Sequence, residues 1–288
     1  MVVSHRVTYQ FAVAMLWLVA VLTTLAASTQ SHAQAGGSAA IPNLRDARAE
    51  RIQASSIEGI RFTTSDDFLP FNFSDASGRL VGFNVDLARA ICEELSLPCT
   101  IQARPFEDLL GAIADDRADA AIAGIAITVE TRREVDFSDV YLRLPGWFAV
   151  RRTQVLEISG AGLTGRRVAV VANTAHEAFV RAFFQNAVIV TFKNVEEARA
   201  ALRERQVDAF FGDEMKLAFW LEGPDSESCC IFAGGPFLET AFFGQGLAIA
   251  VRPDRADMVA AINAGLQAVN ANGIFAELYL RYFPLSFY

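Results

Sequence analysis

Residues 82–128 read GFNVDLARAICEELSLPCTIQARPFEDLLGAIADDRADAAIAGIAIT, and their periodicity changes twice in a way that decides the fold. From Asn84, a suitable N-cap, Leu87, Ile91 and Leu95 recur at helical spacing, and Asp86 sits in the first turn where the helix dipole favours an acid. The pattern predicts a strand at 99–103, a helix over 106–115 and an apolar strand at 119–125. Upstream, Ile60-Arg61-Phe62-Thr63-Thr64 alternates like a strand, and the turn-rich stretch 65–82 follows it, so this half reads βαβαβ. The same order returns downstream as strand 167–172, helix 175–185, strand 187–192, helix 195–204 and strand 207–211. Asp119-Ala120-Ala121-Ile122 enters the last strand of the first half, and Asp208-Ala209-Phe210-Phe211 enters that of the second. Two similar α/β lobes with mostly parallel sheets are expected, followed by a strand at 246–252 and helices at 255–271 and 273–283, the last after the Asn272-Gly273 break.

The composition of the 288-residue chain, 52% hydrophobic and 20% charged, is globular, and its net charge of −8 argues against a nucleic-acid partner, which needs a basic field. Residues 11–27 are apolar and uncharged, follow Arg6 and lead to Ala33-Gln34-Ala35, so a secretory signal peptide over 1–35 is expected; an uncleaved anchor is the alternative. Residues 36–56 read as a loosely packed extension. Of the three histidines, His5 and His32 fall in the leader and only His176 remains, which removes multi-histidine metal sites; no cofactor motif is present. Export permits disulfides, and Cys92 and Cys99 flank a helix end and a strand start, where they can meet. Cys229 and Cys230 are adjacent, an awkward pair to bridge, and are expected as reduced buried thiols.

GFNVDLARAIC at 82–92, PFEDLLGAIADDRADAAIAGIAIT at 105–128, VDFSDVY at 135–141, LTGRRVAVVANTAHEAF at 163–179, VDAFFGDEMKLAFWL at 207–221 and GIFAELYLRYF at 273–283 occur in this order and at these distances. Together they resemble the periplasmic solute-binding proteins of polar amino-acid ABC importers, family 3, over nearly the whole mature chain. The spacing of Cys92 and Cys99 is similar to a disulfide of the lysine/arginine/histidine-binding members. The resemblance implies the type II periplasmic-binding fold: an α/β protein of two lobes joined by a two-strand hinge and closing on a small solute. Lobe one then takes 57–143 plus 244–288 and lobe two 144–243, with crossings near 142–147 and 240–245. A monomer in the periplasm that delivers a small polar solute to the membrane subunits of an ABC transporter is implied.

Candidate ligand-binding residues follow from matching positions and local chemistry. Phe68, in the loop after the first strand, matches the family's aromatic platform, or else anchors its loop. Phe106 matches a position that is often aromatic. Gly124 and Ala126 leave the last strand of lobe one toward a short helix whose first backbone N–H groups can face an anion, and Thr174 offers the same from lobe two or is a plain N-cap. Asp213 matches the acid that receives the ligand's ammonium, since a charge taken from water needs a partner. Glu214 is expected in solvent and His176 on the surface.

One departure bears on the solute. Counting back from Phe137-Ser138, the family's carboxylate-gripping arginine falls on Thr131, and a frequent hydroxyl residue falls on Ala126. Arg132 and Arg133 follow, but a helix turns about 100° per residue, so Arg132 points elsewhere. Losing a charge-assisted bond worth about 1.5–3 kcal/mol weakens α-carboxylate binding by roughly tenfold or more, so an amine-bearing solute, whether an amino acid or a derivative, is expected. Two other roles fit the resemblance: a sensor or accessory module, and an enzyme similar to the cyclohexadienyl dehydratases that share this scaffold.

Overall fold

The computed structural model describes residues 57–283; the leader over 1–35, the extension over 36–56 and residues 284–288 lie outside the described residues. In the first half, β1 (Ile60–Thr64) lies between β5 (Cys99–Ala103) and β6 (Ala120–Ala121), parallel to both. Beyond β6 run β13 (Ala250–Val251) and β7 (Asp136–Phe137), with antiparallel pairing, giving the order β5-β1-β6-β13-β7. In the second half, β9 (Arg167–Val171) lies between β10 (Val188–Phe192) and β11 (Ala209–Asp213), again parallel to both. There β8 (Gly146–Arg151) and β12 (Cys230–Phe237) complete the sheet with antiparallel pairing, in the order β10-β9-β11-β8-β12. The two sheets therefore share one design: a parallel second-first-third trio, then an antiparallel strand brought in across the molecule.

The aspartate echo has a structural cause. Asp119 enters β6 with its N–H donating to the Arg61 carbonyl at 2.8 Å, while its carboxylate accepts the Arg61 N–H at 2.8 Å. Asp208 repeats both bonds with Arg167, each at 2.8 Å. Each acid thus satisfies a backbone donor at the start of the central strand, just where the parallel ladder has not yet begun.

Helices cover the sheets where their apolar stripes predict. In lobe one, α1 (Phe83–Leu95) packs on α7 (Ala256–Ala271) and α8 (Ile274–Tyr282) around Phe62, Leu87, Ile91, Leu266 and Phe275. The short α2 (Leu109–Ala114) buries Leu109, Ala112 and Ile113 against Ala121 and Val135. In lobe two, α3 (Ala175–Phe183) packs in a phenylalanine-rich core that includes Phe148, Phe179 and Phe211, while α4 (Val195–Arg203) and α5 (Glu214–Glu222) pack around Ala149, Ala169, Phe210 and Trp220.

Four expectations are corrected by the structure. Asn84 is not the N-cap of α1: Gly82 occupies that position, and Asn84 is fully buried, donating to Asn72 Oδ1 at 2.8 Å and accepting from the Tyr141 hydroxyl at 2.8 Å. The stretch 106–115 is not one helix but a 3-10 turn (Phe106–Asp108) followed by α2. The turn-rich stretch after β1 contains a small antiparallel sheet of β2 (Asp67–Phe68), β3 (Asn72–Ser74) and β4 (Leu80–Val81), whose strands are too short for a periodic signal. Cys229 and Cys230 are not thiols; they are bonded to each other, as are Cys92 and Cys99, whose Cα atoms are 6.2 Å apart. Strand alternation would send neighbouring side chains to opposite faces, but β12 begins only at Cys230, so Cys229 lies outside the strand and can reach its neighbour.

The chain passes between the sheets through 138–145 and returns through 238–249, a segment that carries the short helix α6 (Thr240–Phe243). These crossings pair with each other: Leu142 and Leu247 form an antiparallel bridge, the Leu247 N–H donating to Leu142 O at 2.7 Å and the Tyr141 N–H to Leu247 O at 2.9 Å. Ser138 closes the ladder toward β13, its hydroxyl accepting the Ile249 N–H at 2.9 Å.

Candidate functional site

In lobe two the carboxyl ends of β9 and β11 open into a cavity of about 250 Å³ lined by Val171, Thr174, His176, Phe211, Asp213 and Lys216, with Asn194 and Glu196 at its edge. Three helices begin around it, and each has a side-chain cap. Thr174 Oγ1 accepts the Glu177 N–H at 3.2 Å, Asn194 Oδ1 the Glu197 N–H at 2.9 Å, and Asp213 Oδ1 the Lys216 N–H at 2.9 Å. The glutamates reach back: Glu177 accepts the N–H of Asn173 and Glu197 that of Lys193, so α3 and α4 carry the same reciprocal cap. Helix starts leave the other first-turn N–H groups without intrahelical acceptors, and their dipoles favour a negative group.

Asp213 is half-buried at the end of β11, opposite Gly146, with one carboxylate oxygen committed to its cap. His176 is not a surface residue as expected. It is half-buried, edge-on to Phe211 at 5.8 Å and beside Phe243 at 5.2 Å. Burial holds its imidazole below the ordinary histidine range, against the pull of Asp213 and with the push of Lys216. Glu214 is also not solvated as expected: it is 1% exposed, its Oε1 has no hydrogen-bond partner among the described residues, and burial next to the Asp213 charge pushes its carboxyl up to about 9. Neutral at pH 7, it leaves Asp213 as the acid that the cavity presents alongside Glu196.

The lobe-one candidates lie outside this cavity and are built differently. Phe68 is half-buried, stacked on Phe71 with ring centres 4.7 Å apart and 20° between planes. Gly124 lies beneath it: its φ is +71°, and a Cβ there would stand 2.9 Å from Phe68 Cε1, so only glycine lets the ring settle on this turn. Phe106 is 49% exposed in its 3-10 turn after β5. Ala126 is exposed, and no helix follows Thr128 directly; the segment runs irregularly to a single 3-10 turn, Thr131–Arg133.

Thr131 has a local task. Its hydroxyl donates to the Ala126 carbonyl at 2.7 Å and accepts the Thr128 N–H at 2.9 Å, so it closes the 126–131 loop instead of reaching outward. Arg132 turns to the crossing segment, donating to Gln245 Oε1 at 3.1 Å and lying 5.7 Å over the Phe137 ring. The loop carrying Phe68 is held from below by a buried polar chain in which Asn72 Nδ2 donates to Ser65, Asn84 to Asn72, and Tyr141 to Asn84.

Thr174 and Asp213 share the lobe-two cavity, while Phe68 and Gly124 share a stacked turn in lobe one, each at the carboxyl edge of its parallel trio. Residues 60–285 match the bacterial extracellular solute-binding proteins, family 3. The chain belongs to this family. The L-arginine-binding protein of Pseudomonas aeruginosa is 28% identical to this solute-binding protein over 221 residues, 76% of this chain and 85% of that one. The ABC transporter arginine-binding protein 1 of Escherichia coli (strain K12) is 28% identical over 231 residues, 80% and 93% of the respective chains. The solved structure of an ancestral cationic amino acid solute binding protein superposes with a TM-score of 0.58 at 25% identity, covering 78% of this chain and 96% of that one.

Among the cavity residues that sequence reasoning missed, His176 and Lys216 are those whose charge state bears on a solute. Both stand in the first turn of a helix that begins at a sequence candidate, His176 two residues after Thr174 and Lys216 three after Asp213. That offset is the signal that would have found them. Among the described residues no group of three metal-ligating side chains occurs, and no helix is long and apolar enough to cross a membrane.

Proposed function

We propose that this solute-binding protein captures a small polar solute bearing an amine, an amino acid or a derivative of one, in the periplasm and presents it to the membrane subunits of an ABC importer. The observation that carries this reading is Asp213: a half-buried carboxylate at the rim of an otherwise largely apolar cavity, beside a histidine that burial keeps neutral. An ammonium entering there gains a charge-assisted bond, while the Phe211 ring and the Val171 side chain exclude water around it. The names of the relatives, which bind arginine and other cationic amino acids, support the same class of solute. Phe68 supplies the facing platform from lobe one in this reading, and Gly124 and Ala126 the adjoining backbone. Thr174 caps the opposite helix. With Thr131 folded into its own loop, an α-carboxylate lacks the arginine fork there, so the amine is the dominant anchor. The 1–35 leader directs export in this account and is removed after Ala35.

The test is isothermal titration against a panel of amino acids and simple amines. Asp213→Asn, which keeps the helix cap acceptor and removes the charge, is expected to weaken the best amine ligand at least tenfold with little change in melting temperature. An unchanged affinity refutes the assignment.

A further inference from the structure

A second concavity, about 470 Å³, runs between α4 and α5 and is lined by Glu196, Arg199, Lys216, Phe219, Trp220 and Asp225. It shares Val195, Glu196 and Lys216 with the cavity at Asp213, so the two adjoin across these side chains. We propose that this recess is a second chamber of the solute site and receives an anionic end of the solute, carboxylate or phosphate, on Arg199 and Lys216. The inference rests on the amine reading of Asp213 and extends it to a solute that carries both charges.

Arg199 is built for such a guest. Its guanidinium carbon lies 5.6 Å over the Trp220 ring, and one terminal nitrogen donates to the Lys216 carbonyl, which holds the fork in place. Its Nε is buried and meets no acceptor among the described residues. Arg203, one turn further along α4, and Arg181 on α3 are by contrast paired with Glu227 and Glu177. An anion in the recess gains a charge-assisted bond from the positively charged fork. Lys216 supplies an exposed second cation from the first turn of α5, where the helix start also favours negative charge. Phe219, 44% exposed, gives the recess an apolar wall. Glu196 and Asp225 are exposed at the rim, where water screens their repulsion of an incoming anion. Arg199 remains charged, for although burial lowers its basicity, Glu196, Asp213 and Asp225 raise it.

The probes are L-glutamate and O-phospho-L-serine, compared by isothermal titration with their neutral counterparts L-glutamine and L-serine. Each acidic probe is expected to bind at least about tenfold tighter than its counterpart. Arg199→Met, which keeps the stem over Trp220, is expected to erase most of that preference while changing affinity for the neutral probes by less than about threefold, and Lys216→Met to erase most of it as well. Arg199→Lys should restore part of it. Thermal melts of the variants check that the α4–α5 interface is intact. No preference in the unmodified protein, or a preference that survives both methionine variants, overturns the chamber, as does failure of all four probes to bind. Asp213→Asn separates the two readings. If it leaves every affinity unchanged the amine anchor is wrong, while the Arg199 and Lys216 results still decide the chamber.

Discussion

Glu214 follows Asp213 directly, yet the two carboxyls live in different media, one at the rim of a cavity and the other sealed beside the first crossing with its N–H on Pro145 O at 3.1 Å. The consequence is a pH dependence with a definite sign. A carboxyl near 4.5 when unfolded and about 9 when folded holds its proton only in the folded state between those values. Unfolding then releases a proton, so stability falls as pH rises through this window and levels off above it. Glu214→Gln keeps the shape without the titration. Its advantage over the unmodified protein should be small near pH 4, grow to on the order of 3 kcal/mol at pH 7, and plateau above pH 9. Urea unfolding of both proteins at several pH values reads this directly, and parallel stability curves would contradict it. The buried chain of Ser65, Asn72, Asn84 and Tyr141 makes the opposite case, that of polar groups fully paired. Asn84→Ala strands the Tyr141 hydroxyl and Asn72 in the core and is expected to cost about 2–4 kcal/mol in denaturant unfolding.

At the scale of elements, the two parallel trios owe their matching starts to Asp119 and Asp208. Burial works to raise the Asp119 carboxyl, but bonds from the Arg61 side chain and backbone outweigh it and hold the group below its usual range. Its stabilisation is therefore present above the unfolded carboxylate range and is lost as pH falls through the lower folded value. Asp119→Ala is expected to cost about 1–3 kcal/mol at pH 7 and progressively less in acid, as measured by guanidinium unfolding. This pair of acids was visible in the sequence because it punctuates two long periodic runs, and the same periodicity located β1, β5, β9, β10 and the helices α1, α3, α4 and α7 closely. Elements of two or three residues, such as β2 and β4, bury too little to leave a repeating signature. Asn84 and Glu214 misled for a related reason: residue type reports average exposure, whereas their burial depends on which other segment lies against them. For the candidate site, Thr174 was legible as a cap and Asp213 as an acid closing an apolar strand, although its own capping bond to Lys216 was not. The local bond from Thr131 to Ala126 was not, because spacing reveals which residue is missing but not what its replacement binds.

For the whole molecule, the two lobes meet through a narrow seam whose integrity depends on the Leu142–Leu247 bridge, and Met215 of α5 packs with Tyr141, Leu142 and Leu247 in the lobe-one core. Gly246 is a tight point of this seam. Its φ is +113°, and a Cβ there would stand 2.6 Å from both Leu142 O and Val140 Cγ1. Any side chain must pry the crossing segments apart as well as strain the backbone. Gly246→Ala is expected to cost about 2–4 kcal/mol, which for a protein of this size lowers the melting temperature by roughly 5–12 °C. Since each sheet borrows a strand across this seam, both lobes should feel the change. Near-ultraviolet circular dichroism reports the Trp147 and Trp220 environments of lobe two, while hydrogen exchange of the β1 and β5 backbone amides reports lobe one. The two probes are expected to shift together. If lobe two kept its transition while lobe one alone melted earlier, the seam would join two independently stable bodies, and solute affinity would then be carried by lobe two with little penalty from the hinge.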